Sequence, residues 1–140
     1  MIIKVAENDD EFQSCFPVIA ELRPHLRLED FLSQIKRQTK QTTFYLIYLI
    51  DDEEVKAVGT IRLGEWLASG KYLEIEDLAT KSSERSKGYG GRLFDWIREF
   101  AKKENCRQLR LVSHVKRFDA HRFYLNKEML IEAHYFSITL

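Results

Sequence analysis

Residues 78–92, which read LATKSSERSKGYGGR, decide the fold. The first three residues end a β-prone run over residues 72–80, and apolar side chains recur at helical spacing after Gly91, at Leu93, Trp96, Ile97, Phe100 and Ala101. The segment between them is rich in glycine and in cationic residues. Glycine lets a backbone approach a ligand closely, and the free N–H groups that open a helix attract anions. The stretch predicts a strand, a diphosphate-binding loop and a helix.

The glycine spacing narrows the kind of diphosphate. A nucleotide P-loop needs Gly-Lys-Ser/Thr, but Arg92 and Leu93 follow Gly91. The dinucleotide fingerprint needs a third glycine at the position of Leu93. The segment Arg85-Ser86-Lys87-Gly88-Tyr89-Gly90 instead fits the pattern [Arg/Gln]-x-x-Gly-x-[Gly/Ala]. The alternative interpretation is a glycine turn that caps a structural helix.

The remaining elements follow from periodicity and local signals. Strands are predicted at residues 2–6, 44–50, 55–63, 72–80, 108–113 and 130–139, and helices at about 12–22, 28–39, 92–101 and 118–127. Asn8 and Glu11 resemble a capping box, and Pro17 predicts that the first helix is short or broken. The order β-α-α-β-β-β-α-β-α-β indicates the α/β class (mixed α+β). We expect a mostly antiparallel mixed sheet of six or seven strands with flanking helices.

Length and composition bound the class of protein. The 140 residues suit one domain over residues 1–140, and no apolar run reaches the roughly 20 residues of a membrane span. Cys15 and Cys106 both fall on apolar faces, which predicts buried free thiols in a reducing cytoplasm and no metal site. Membrane, secreted and disordered classes are excluded.

The charge is balanced overall but unevenly distributed. Lysine plus arginine and aspartate plus glutamate both total 22, which argues against nucleic acid as a partner. Residues 81–127 carry 13 basic and 5 acidic side chains, whereas the rest carries 9 basic and 17 acidic ones. This split predicts one surface for an anionic ligand and another for a cation, although chance distribution over solvated faces is the alternative.

Three motifs together resemble the GNAT superfamily of acetyl-CoA-dependent N-acetyltransferases: Ile75-Glu76-Asp77-Leu78-Ala79-Thr80, the segment from Arg85 to Gly91, and Ala120-His121-Arg122-Phe123-Tyr124-Leu125. The resemblance implies that acetyl-CoA is the cosubstrate and that no metal takes part. The backbone of Leu78, Ala79 and Thr80 would pair with the pantetheine arm. The pyrophosphate would lie on Arg85, Ser86, Lys87, Gly88, Tyr89, Gly90 and Gly91. Arg117, where many relatives have asparagine, would contact the cofactor at a phosphate.

The resemblance also implies direct attack of an amine on the thioester, which leaves two proton transfers for side chains. Tyr124 matches the family tyrosine and is the candidate acid that protonates the CoA thiolate. Glu74 and Glu76 share one face of their strand and are the candidate bases, while Asp77 points the other way unless a bulge intervenes. The alternatives are a packing role for Tyr124 and solvated or salt-bridged carboxylates at the two glutamates.

The predicted function is acetyl transfer to a primary amine, on a small cationic molecule or on a lysine or N-terminus. The alternative is a catalytically silent acyl-CoA-binding sensor or interaction module, and a third possibility is a nucleotide-binding regulatory domain. Neither a nucleic acid nor a membrane is expected as a partner. A second subunit that completes a sheet edge, in a homodimer, is compatible with the sequence.

Overall fold

The computed structural model describes residues 1–140. Its elements are β1 (Ile2–Val5), α1 (Asp9–Leu22), α2 (Leu28–Gln41), β2 (Phe44–Asp51), β3 (Glu54–Trp66), β4 (Gly70–Thr80), a 3₁₀ turn (Ser82–Glu84), α3 (Tyr89–Lys103), β5 (Gln108–Leu111) and α4 (Phe118–Asn126). The five strands form one sheet in the order β1-β2-β3-β4-β5. The predicted α/β class and the order of the first nine helices and strands are confirmed.

The strand predicted at residues 130–139 is wrong, so the sheet has five strands and not six or seven. Apolar and polar residues alternate there, and this pattern predicts an extended backbone. A strand also needs a neighbouring strand for its hydrogen bonds, and residues 130–139 belong to none of the five strands of the sheet.

The sheet from β1 to β4 is antiparallel, and a bulge interrupts its last pairing. Thr60 lies opposite Asp77, while Ile61 lies opposite Ile75, so Glu76 is the extra residue of β4. A bulge changes which way the following side chains point. The sequence analysis expected Asp77 to face away from Glu76 unless a bulge intervened, and this bulge is the stated exception.

Helix α1 begins as predicted and runs further than predicted. The Asn8 side chain accepts from the Glu11 N–H at 2.9 Å and donates to the Glu11 carboxylate at 2.8 Å, which confirms the capping box. The helix continues through Pro17 for 14 residues, so the predicted break is wrong. An internal proline costs about 3 kcal/mol, whereas each large apolar side chain that α1 buries contributes about 1.5–3 kcal/mol. The buried side chains are Phe12, Cys15, Val18 and Ile19.

Helices cover both faces of the sheet. Leu46 and Tyr48 of β2 belong to the same buried cluster as α1 and α2, whereas α3 packs on the other face. On that face Ile97 lies so close to Gly59 that a Cβ there would be 3.3 Å from its Cδ1. This covering explains why β2 and β3 are almost continuously apolar.

The chain divides into two compact units, Met1–Arg110 and Leu111–Leu140. The first contains the sheet and α1, α2 and α3, and the second contains α4 and the extended residues after it. No helix is both long and apolar enough to cross a membrane.

Both cysteines are free, as predicted, but only Cys15 is fully buried. Burial raises the pKa of the Cys15 thiol to about 12. Cys106 is half-buried, and burial raises the pKa of its thiol as well.

Candidate active site

The glycine-rich loop leaves its amide groups available at the start of α3. Gly88 precedes the helix at φ +86°, and Ser86 also lies in the left-handed region at φ +66°. The first hydrogen bond of the helix runs from the Arg92 N–H to the Gly88 carbonyl at 3.0 Å. Hydrogen bonds within the chain use none of the N–H groups of residues 85–91. With the positive end of the helix dipole, these groups can bind an anion.

Three cations surround this loop and differ in how they are held. Arg85 is exposed and makes no ion pair. Lys87 donates to Glu84 Oε2 at 2.6 Å, and Arg92 contacts the Met1 sulfur at 3.3 Å. The loop therefore offers one unpaired cation and one that Glu84 restrains.

A buried lysine fixes the turn that leads into the loop. The Lys56 side chain is only 6% exposed, and its Nζ donates to Glu54 Oε2 at 2.7 Å and to Glu84 Oε1 at 2.9 Å. Lys81 also donates to Glu54. The hydrogen bond from Lys87, and then the one from Lys56, lowers the pKa of Glu84 to about 2. The bond with Glu84 raises the pKa of Lys56 in turn.

Leu78, Ala79 and Thr80 pair with β3 on one side only. Their partners there are Gly59, Val58 and Ala57. The chain enters β5 beside the start of β4, where the Arg107 N–H donates to the Lys71 carbonyl at 2.7 Å. Strand β5 has only four residues, whereas β4 has eleven, so β5 ends well before β4 reaches Thr80. The other edge of β4 near Thr80 therefore has no neighbouring strand. The start of α3 lies close by, since a Cβ on Gly90 would be 2.9 Å from Thr80 Oγ1.

The bulge brings two carboxylates to one cavity. Glu76 and Asp77 both line a cavity of about 370 Å³ within the first unit. Arg62 donates to both oxygens of Glu76, at 2.5 and 3.3 Å. Asp77 accepts from Arg23 Nε at 2.9 Å and from the Thr60 hydroxyl. Other lining residues are Arg23, His25, Phe31, Phe44 and Thr60.

Glu74 is held differently from the other two carboxylates. Its Oε1 lies 3.3 Å from Arg110 Nε, although these two atoms do not form a hydrogen bond. The Arg110 guanidinium lies between the rings of Trp66 and Tyr72, 3.7 and 3.5 Å from their centroids. Such cation–π contacts fix the guanidinium beside Glu74.

Tyr124 and Arg117 both belong to the second unit. Tyr124 is half-buried on α4, and its ring meets Phe123 edge to face at 5.5 Å between centroids. Arg117 precedes α4 with an exposed side chain, and its N–H donates to the His114 carbonyl at 3.0 Å. No group of three or more His, Cys, Asp or Glu side chains is arranged to hold a metal ion.

Sequence reasoning found the glycine-rich loop and missed most of the side chains that hold the carboxylates of the site. Arg23, Thr60 and Arg62 carried no local signal, because their partners lie between 14 and 54 residues away along the chain. The sequence analysis considered a bulge only as the exception that would change the direction of the Asp77 side chain. An apolar strand that contains one lysine, as β3 does at Lys56, was the one available hint of a buried ion pair.

A sequence model of the Acetyltransferase (GNAT) family matches residues 5–128, and the chain belongs to this family. It is an acyltransferase of the N-acetyltransferase type. The family uses acetyl-CoA as its acetyl donor and an amine as its acceptor.

Similar proteins agree with this assignment. An uncharacterized N-acetyltransferase, YhdJ, from Bacillus subtilis (strain 168) is 30% identical over 125 residues, which cover 89% of this chain and 88% of YhdJ. The crystal structure of a transcriptional regulator from Bacillus halodurans C-125 superposes with a TM-score of 0.88 at 23% identity, over 99% of each chain. A GNAT family acetyltransferase from Staphylococcus aureus gives a TM-score of 0.83 at 20% identity, over 99% of this chain and 98% of that one. At 23% and 20% identity, the two structural similarities are evidence for the fold alone.

Proposed function

We propose that the protein transfers acetyl from acetyl-CoA to a primary amine, on a small cationic molecule or on a lysine or N-terminus. The observation that carries this proposal is the loop of residues 85–91, whose amides open α3 without any partner within the chain. A diphosphate is the part of coenzyme A that such a site fits. One family model runs through both units, which supports treating residues 1–140 as a single catalytic domain.

In this proposal the cofactor is held by backbone groups along most of its length. The amides of residues 85–91 bind the diphosphate, with charge from Arg85 and Lys87 and a further phosphate contact from Arg117. The free edge of β4 at Leu78, Ala79 and Thr80 pairs with the pantetheine arm. That edge has the unpaired backbone groups which an extended amide chain needs.

The chemistry needs one proton removed and one proton supplied. A primary amine with a pKa near 10.4 is mostly ammonium at neutral pH and must lose a proton before its nitrogen attacks the thioester carbonyl carbon. The carbon–sulfur bond then breaks, and the thiolate of coenzyme A takes a proton. We assign that second proton to the Tyr124 hydroxyl, because a phenol can donate to a thiolate.

We assign the first proton transfer to Glu74, acting through a water molecule, because Glu74 is not among the residues that line the cavity. Both oxygens of Glu76 and both of Asp77 already accept hydrogen bonds, whereas Glu74 Oε2 accepts none. Glu76 and Asp77 instead supply negative charge to the wall of the cavity, where the acceptor would bind as its ammonium ion. Paired arginines offset much of that charge, so the cavity favours one ammonium group over a polycation.

The test of the proposed function is a thiol-release assay with acetyl-CoA and a panel of amines: a polyamine, an aminoglycoside, a lysine peptide and a free amino acid. We expect one class to raise thiol release well above slow hydrolysis. If none does while calorimetry shows that coenzyme A binds, the acceptor assignment fails. If coenzyme A does not bind at all, the loop assignment fails.

Replacing Tyr124 by phenylalanine should lower kcat by about 10²-fold or more, because general acid catalysis typically contributes 10²–10⁴-fold. The Kd for coenzyme A should stay within about twofold, since the phenol contacts only the leaving sulfur in this scheme. Tyr45→Phe on β2 is the matched control and should leave kcat unchanged. Equal kcat for wild type and Tyr124→Phe at every pH would remove Tyr124 from the mechanism.

Glu74→Gln should lower the rate at pH 7 by about 10²-fold and remove the inflection of the pH–rate profile that a carboxylate base produces. The rate should then climb with pH as the free amine itself accumulates. Glu65→Gln, an exposed glutamate near the end of β3, is the control. An unchanged profile for Glu74→Gln together with a changed one for Glu76→Gln would transfer the base role to Glu76.

A further inference from the structure

The cavity beside β4 combines charged groups with apolar side chains. Its charged lining residues are Arg23, Glu76 and Asp77. At about 370 Å³ the cavity lies near the lower end of the roughly 300–1,000 Å³ that small-molecule sites occupy. A ligand that fills it is therefore small, carries charge and has an apolar part. Five apolar side chains line the cavity: Ile19, Leu26, Phe31, Ile35 and Phe44.

The guanidinium of Arg23 keeps hydrogen-bonding capacity for a ligand. Its Nε donates to Asp77 Oδ1 at 2.9 Å and its Nη2 donates to the Glu76 carbonyl at 3.4 Å, whereas its Nη1 makes no hydrogen bond within the chain. The Arg23 side chain remains 40% exposed. A planar guanidinium is well suited to a carboxylate, which it can bind through two parallel hydrogen bonds. Arg23 therefore offers the cavity a place for an anionic group.

Arg62 has no such capacity left. It donates through Nε and Nη2 to the Glu76 carboxylate, and through Nη1 to the Thr42 hydroxyl at 2.6 Å. It is also not among the residues that line the cavity. The charge of Arg62 thus offsets that of Glu76, while Arg23 is the cation that a ligand can reach.

The Asp77 carboxylate can accept a further hydrogen bond. Its Oδ1 accepts from Arg23 and its Oδ2 accepts from the Thr60 hydroxyl, and a carboxylate has about four acceptor positions in all. Asp77 directly precedes Leu78, where the strand edge proposed for the pantetheine arm begins. An ammonium group on Asp77 would therefore lie close to the end of that edge.

We propose that the acceptor is a zwitterion, an α-amino acid with an apolar side chain, whose carboxylate binds Arg23 and whose ammonium group binds Asp77. This inference rests on the proposed acetyl transfer and names its acceptor. Arg23 and Asp77 contact each other, so two ligand groups that share one carbon can each reach one of them. The charges of Arg23, Arg62, Glu76 and Asp77 cancel, so a ligand without net charge leaves no charge uncompensated.

Acetylation changes the charge of such a ligand and favours its release. The amine nitrogen forms a bond to the acetyl carbonyl carbon and the carbon–sulfur bond breaks. Of the two protons that the ammonium group loses, the sulfur takes one and the solvent the other. A neutral amide then stands where the ammonium group was, so Glu76 and Asp77 no longer attract it. A polyamine or a lysine side chain would provide no carboxylate for Arg23.

A set of related amines tests the proposal on the wild-type protein. L-phenylalanine, L-phenylalaninamide and phenylethylamine share a ring and a primary amine, but only L-phenylalanine has a carboxylate. We expect its kcat/KM to exceed that of the other two by about 10-fold to 100-fold, the effect of one charge-assisted contact. Spermidine, a polycation, should be poorer still. Equal values for the three ring compounds, or a higher value for spermidine, would overturn the proposal.

Arg23→Gln tests the carboxylate contact itself. The KM for L-phenylalanine should rise about 10-fold or more, whereas the KM for phenylethylamine should change by no more than about twofold. A purely structural role of Arg23 would raise both KM values together, and that result would contradict the proposal. Arg27→Gln removes an exposed arginine that is paired with Glu29 and should leave both KM values unchanged.

Direct binding distinguishes a failure of this inference from a failure of the proposed function. Calorimetry with L-phenylalanine and coenzyme A needs no acetyl transfer. Binding that Arg23→Gln weakens, without acetylation of any amine, would support the zwitterion site while the proposed function fails. Acetylation of spermidine or a lysine peptide, with no binding of L-phenylalanine up to about 10 mM, would overturn the zwitterion and leave the proposed function intact. Neither binding nor acetylation would overturn both.

Discussion

Replacing Gly88 by valine is expected to weaken coenzyme A binding about tenfold or more, the effect of about 1–3 kcal/mol of strain at a left-handed position. Gly88 has φ +86° and directly precedes α3. A β-branched residue avoids this conformation, so the chain would turn differently before the helix. The amides of Tyr89, Gly90 and Gly91 would then no longer point at one place.

The strain argument makes Ser86 a matched control in the same loop. Ser86 also adopts a positive φ, of +66°, without being glycine. Ser86→Gly removes strain rather than adding it, so the Kd for coenzyme A should change by less than about threefold. Because a Cβ on Gly88 meets nothing within 4 Å, a clash of the Cβ does not explain a loss in Gly88→Val. Calorimetric titration with coenzyme A measures the Kd of both variants. Equal Kd values for wild type and Gly88→Val would contradict the proposed binding site at the loop.

Local patterns predicted the parts of this protein whose causes are local. The Asn8 cap and the glycines that open α3 depend on residues within a few positions of each other, and both are present as predicted. Helical spacing correctly placed α2 and α3 because each buries one face. The same reasoning gave too much weight to Pro17, since the burial along α1 that outweighs it is a tertiary effect.

Features that depend on pairing between distant residues were not predictable in this way. The bulge at Glu76 is a property of the register between β3 and β4, and one shifted residue decides whether Asp77 reaches the cavity. The alternation at residues 130–139 predicts an extended segment, but it cannot show whether a strand lies beside that segment. Lys56 looks like one lysine in an apolar strand until Glu84, 28 residues further on, is seen beside it.

Lys56→Met is expected to lower Tm by about 5–10 °C, because loss of the buried lysine leaves Glu54 and Glu84 with one lysine partner each instead of two. Lys56 contacts Glu54 and Glu84, and its carbonyl also accepts from the Lys81 N–H at 2.8 Å. Methionine fills a similar volume, so a cavity contributes little to the loss. Lys102→Met breaks an exposed pair with Glu99 and should change Tm by no more than about 1 °C. Thermal unfolding of both variants decides between these expectations.

The dependence of Tm on pH below pH 5 tests whether Glu84 contributes to the destabilisation by Lys56→Met. Its pKa is about 2 in the folded chain against 4.5 ordinarily, so the stability that it contributes is present above pH 4.5 and is lost as the pH falls toward 2. The Tm difference between wild type and Lys56→Met should therefore shrink over that interval. A difference that stays constant from pH 5 to pH 2 would mean that the charge of Glu84 does not contribute to the effect of Lys56.

The same variant connects the buried pair to the cofactor. Without Lys56, Glu84 keeps Lys87 as its remaining lysine partner and holds that cation away from an incoming phosphate. The Kd for coenzyme A should then rise roughly threefold to tenfold, as expected for a weakened charge-assisted contact. Adding Glu84→Gln releases Lys87 and removes the carboxylate that lost its buried partner, so the double variant should regain affinity and part of the lost Tm. Recovery of Tm without recovery of affinity would show that Lys56 stabilises the turn before the loop but does not act on cofactor binding.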